Sequence, residues 1–60
     1  MNATTRGAYL NGLNDSMKRI VEALGRTEDY TVRAALWEVH SAISQDWRDQ
    51  YERFMADLSR

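Results

Sequence analysis

Leu24-Gly25-Arg26-Thr27-Glu28-Asp29 is the stretch that decides the fold. A helical apolar pattern ends at Leu24, and a second begins almost at once. Gly25 stands where a helix commonly closes with a left-handed residue, which glycine adopts without a Cβ clash. Thr27 is placed to act as an N-cap, with Glu28 and Asp29 in the first turn, where acids favour the helix dipole. So short a connection, residues 25–27, implies an antiparallel helical hairpin.

Upstream, Leu10, Leu13, Met17, Ile20, Val21 and Leu24 recur at three- and four-residue steps. At about 100° per residue they share one face, which is the signature of an amphipathic helix. Gly7, Asn11, Gly12 and Asn14 weaken its first half, and Asn14-Asp15-Ser16 could cap a fresh start. One helix beginning near Thr4 or Thr5 is preferred over a short helix broken near Asn14, so helix 1 is expected over about 5–24. Downstream, Val32, Leu36, Val39, Ile43, Trp47, Phe54 and Leu58 form an inward stripe, and helix 2 is expected over about 28–58. Asp49 with Arg53, and Arg53 with Asp57, are spaced to pair on its exposed side. Strand signals are nearly absent, and there is no proline. The fold class is therefore all-α: one domain over 1–60, a short helix 1 against a long helix 2.

The two lengths do not match. Helix 2 spans about 46 Å and helix 1 about 30 Å at a rise of about 1.5 Å per residue. Leu10, Leu13, Met17, Ile20, Leu24, Val32, Leu36, Val39 and Ile43 are expected to form the hairpin core. Trp47, Tyr51, Phe54, Met55 and Leu58 would then overhang, and are expected to form the interface of a dimer or higher homo-oligomer. A chain of 60 residues buries only about 60% of its unfolded surface, so self-association is a common remedy. Disulfides and Cys-based zinc are excluded because there is no cysteine, and the single histidine cannot build a His-rich site. No metal and no cofactor is expected.

A second stripe lies beside the core on helix 2: Tyr30, Arg33, Trp37, His40, Ser41, Ser44, Arg48, Tyr51 and Met55. Tyr, Trp and Arg are the residue types enriched at interface hot spots. Tyr30, Arg33, Trp37, His40, Ser44 and Arg48 are the candidates for partner or ligand binding. The stripe suits another copy of the chain or the groove of a different protein. An alternative is a small anionic, nucleotide-like ligand, stacked on Trp or Tyr and held by Arg33, Arg48 or His40. His40 reads most simply as a half-buried interface histidine. Lys18 and Arg19 point away from the core stripe and read as solvated.

No enzyme is expected, on several counts. Ser41 and Ser44 have no nearby acid and no second histidine, so no Ser-His-Asp arrangement is available. Glu38 and His40 lie about 200° apart on the wheel and cannot share a ligand. There is no HExxH, glycine-rich phosphate loop or EF-hand spacing. The net charge of −1, from 8 Lys+Arg against 9 Asp+Glu, is unlike the basic footprint of a duplex nucleic-acid binder. No apolar run approaches a membrane span, and no signal-peptide pattern opens the chain. The expectation is a cytoplasmic, non-catalytic, oligomeric binding module, an accessory or inhibitor protein that acts on a protein partner.

Overall fold

The structure, a computed structural model, describes residues 2–59. It is two antiparallel helices, α1 (Ala3–Arg26) and α2 (Tyr30–Leu58), with no strand among the described residues. The hairpin is a rod of 47 × 14 × 14 Å. Its radius of gyration is 14.0 Å, against about 10 Å for a compact domain of this length.

Local chemistry sets each helix end. Asn2 caps α1, its Oδ1 accepting the Thr5 amide at 2.8 Å. This satisfies one of the orphan donors of the first turn. α1 runs without a break through Gly12-Leu13-Asn14, so the continuous helix prevails. The reading of Gly25 as a left-handed stop is corrected. Gly25 lies inside α1, and no glycine among the described residues has positive φ. The helix ends instead at an extended Thr27 (φ −110°, ψ 126°), whose N–H donates to the Leu24 carbonyl at 3.4 Å. Asp29, not Thr27, caps α2: its Oδ1 accepts the Val32 amide at 3.0 Å. A carboxylate is the stronger acceptor at this dipole end.

The two helices meet along a seam with alternating steps of three and four residues. α1 contributes Ala3, Arg6, Leu10, Leu13, Met17, Ile20 and Leu24, all buried or half-buried. α2 contributes Arg33, Leu36, His40, Ile43, Trp47, Gln50, Phe54 and Asp57, all half-buried. That average of 3.5 is the repeat of a two-stranded coiled-coil seam. Two helices cannot enclose much, and among the described residues only Leu10 and Leu24 are buried, at 7% and 5% exposure.

This seam corrects the expected inward stripe. Val32, Val39 and Leu58 are exposed at 46%, 49% and 58%, not buried. Trp47 and Phe54 are seven residues apart, and keeping both in the seam brings in His40 and Arg33, seven and fourteen residues before Trp47. The valines one residue earlier are thereby turned outward. The polar seam positions are tolerated because they find partners. Arg6 Nε sits 3.1 Å from Asp57 Oδ2, and Arg6 Nη1 donates to Gln50 Oε1 at 2.7 Å. Arg33 Nη1 donates to the carbonyls of Leu24 and of Thr27, the latter at 3.0 Å.

The length mismatch is corrected as well. α1 starts earlier than expected and α2 later, giving 24 and 29 residues. α1 therefore runs alongside most of the C-terminal part of α2. Arg6 reaches Asp57, and a Cβ at Gly7 would stand 3.5 Å from the Phe54 ring. Trp47 and Phe54 pack within the hairpin and do not overhang it. The expected pair Arg53–Asp57 gives way to Arg6–Asp57, while Asp49 accepts from Gln45 Nε2 at 3.2 Å.

Candidate interaction surface

Beside the seam, α2 carries a row in which residues recur every seven positions: Tyr30, Trp37, Ser44, Tyr51 and Leu58. A seven-residue step repeats nearly the same direction along a helix, so this row forms one narrow line next to the seam. Its large members are bare. Tyr30 is 85% exposed, Leu58 58%, Trp37 50% and Tyr51 41%, with Met55 alongside at 44%.

Neighbouring seam residues hold the row in place. Trp37 meets the edge of the His40 ring, with centroids 5.5 Å apart and planes at 73°. Tyr51 stacks on Trp47 at 4.9 Å with planes 8° apart. Both pairs are joined at i, i+3 or i, i+4, the spacings at which helix side chains meet. Ser44 Oγ donates to Met17 Sδ at 3.2 Å, which ties the middle of the row to α1. Two shallow apolar grooves open along the line between the helices. One is lined by Asn14, Met17, Val21 and His40 with the charged Lys18 and Glu22 at its edge, the other by Gly7, Leu10, Asn11, Asn14, Trp47, Tyr51 and Phe54. Asn14 borders both.

The residues singled out from sequence are thus redistributed. Tyr30, Trp37, Ser44 and Tyr51 share the row, with Leu58 at its end and Met55 beside it. His40, Trp47 and Phe54 sit behind it, in the seam. Arg33 is turned into the helix connection, where it caps the last turn of α1, and does not share a site with Arg48. Arg48 borders a small polar hollow with His40, Ser41, Ser44 and Gln45. The α1 side of the grooves, Gly7, Asn14 and exposed Val21 (52%), was not picked out from sequence. The seven-residue spacing of Tyr30, Trp37, Tyr51 and Leu58 was the signal that could have defined the row.

The opposite flank is more polar. Tyr9 Oη donates to Asp46 Oδ2 across the two helices. That hydrogen bond, with smaller contributions from desolvation and the Asp46 charge, holds the phenol pKa above its ordinary value. Arg19 pairs with Asp15 at 3.1 Å on the outer face of α1, fully in solvent range. Among the described residues no group of three His, Cys, Asp or Glu side chains is placed to hold a metal ion. Among the described residues no helix is long and apolar enough to cross a membrane. No family model, curated protein or solved structure matches the chain.

Proposed function

We propose that the protein is a non-catalytic association module, an accessory or inhibitory protein that works by packing the Tyr30–Leu58 row of α2 against another polypeptide. The observation that carries this is the row itself: Trp37, Tyr51 and Leu58, each at least 41% exposed, in one line beside the seam. Exposed apolar residues scattered singly need no explanation, but large ones aligned along one helix face suit an interaction surface. Rigid aromatic side chains also suit such a role, since they bring large contact area at low entropic cost.

A second reading, a small anionic ligand, has the hollow of His40, Ser41, Ser44, Gln45 and Arg48 in its favour. It is the weaker one, because Arg33 is engaged at the helix connection and leaves Arg48 as the cation at that hollow. Nucleotides that raise the melting temperature of the wild-type chain but not of Arg48→Ala would favour it.

The test of the main reading compares immobilised wild-type chain with Trp37→Ala/Tyr51→Ala in native lysate of the source cell. Specifically retained polypeptides should be lost from the double variant while its helical circular dichroism persists. The same retained set from both chains would overturn the reading.

A further inference from the structure

We infer that the occupant of this row is a second copy of the chain, packed antiparallel, α2 on α2, about a two-fold axis that passes beside Ser44. The inference rests on the proposal that the row is an association surface, and gives that surface its partner and its register.

The first observation is the symmetry of the row. Ser44 is its midpoint, with Trp37 and Tyr51 seven residues to either side and Tyr30 and Leu58 fourteen. A two-fold axis at the midpoint sets each residue against its mirror position: Trp37 against the partner's Tyr51, Tyr30 against the partner's Leu58, and Ser44 against itself. Every large apolar member then meets another large apolar member. The smallest residue falls on the axis, where the two helices come closest. A seven-residue repeat is also the spacing that keeps a second seam in line between supercoiled helices, and a self-complementary patch is what two-fold pairing requires.

Area is the second observation. The chain exposes 4624 Å², while a compact protein of its 7.0 kDa mass exposes about 4,000 Å². The excess of about 600 Å² per chain is surface that a compact fold of this mass does not show. A second rod laid along the 47 Å length would cover part of that surface. Charge does not oppose it, since each chain carries only −1.

The grooves supply the third. They lie on either side of Asn14 in α1, and the Ser44–Met17 hydrogen bond places the midpoint of the row next to that division. Two hollows flanking one midpoint are what a two-fold partner needs to seat an aromatic side chain on each side of the axis.

The test uses the full chain. Sedimentation equilibrium at about 100 µM should give twice the one-chain mass for a complex of micromolar Kd, and Trp37→Ala should weaken it at least about 50-fold with helicity retained. The natural sequence has no cysteine, so introduced thiols report the register. Trp37→Cys mixed with Tyr51→Cys should form a disulfide-linked pair on oxidation, since such a bond needs Cα atoms within about 7 Å. Neither variant alone should do so, and the mixed pair retains one native Trp37–Tyr51 contact. A one-chain mass at that concentration overturns the second copy as occupant, and leaves the association reading to the lysate comparison. Self-linking of Trp37→Cys alone as readily as in the mixture overturns the antiparallel register. A Trp37→Ala dimer of unchanged affinity overturns the row as the interface.

Discussion

Arg6 and Asp57 form an ion pair at 3.1 Å across 51 residues of sequence, near the open end of the hairpin, with side chains only 12% and 25% exposed. Arg6 also holds Gln50 at 2.7 Å, so one guanidinium ties the start of α1 to two turns of α2. The end that sequence reading left uncovered is thereby closed within the chain.

Removing either partner should loosen this end. Arg6→Met should cost about 1–2 kcal/mol, and Asp57→Asn less, because part-buried charge-assisted hydrogen bonds are worth more than surface pairs. Urea denaturation of both variants and of the double variant checks it. A coupling energy near zero in that cycle would mean the pair contributes nothing.

Arg33 should matter for folding. Its guanidinium donates to the carbonyls of Leu24 and Thr27, orphan acceptors at the end of α1. Arg33→Met should lower stability by about 1–2 kcal/mol. Had Arg33 pointed outward with Arg48, the same change would leave the denaturation midpoint unmoved.

Gly25→Ala should stabilise the protein by about 0.5–1 kcal/mol and raise Tm by a few degrees. Gly25 is helical, and a Cβ there meets nothing within 4 Å. Alanine loses less backbone entropy on folding. A fall in Tm would instead indicate a left-handed glycine at the helix end.

Tyr9 gives a pH signature. Its protonated phenol donates to Asp46, so its folded pKa lies above its ordinary value. The hydrogen bond's contribution is complete below the ordinary phenol pKa and disappears as pH rises through the raised one. NMR titration of the Tyr9 ring should show late ionisation that Asp46→Asn moves to lower pH. A titration unaffected by Asp46→Asn would contradict the bond.

Much of the fold was legible from local chemistry. Helix periodicity in Leu10–Leu24, the lack of proline and the polar stretch around Gly25–Asp29 were enough for two antiparallel helices. The site was legible in composition but not in geometry. A wheel drawn at 100° per residue placed Tyr30, Trp37 and Tyr51 on one sector, yet grouped them with Arg33 and His40. Val32 and Val39 outrank those two by hydrophobicity, so periodicity alone places them in the core.

By itself, then, the sequence determined which residues are helical, roughly where they stop, and that apolar surface exceeds what two helices can cover. The tertiary structure decided which of two adjacent stripes on α2 faces α1. That choice keeps Trp47 and Phe54 in the seam, and it is tolerated because the polar positions it brings in find cross-helix partners: Arg6 for Gln50 and Asp57, and the α1 carbonyls for Arg33. Such pairings join residues up to 51 positions apart, and no local periodicity encodes them. The register that holds Trp47 and Phe54 inside the hairpin leaves Trp37, Tyr51 and Leu58 in line on its surface.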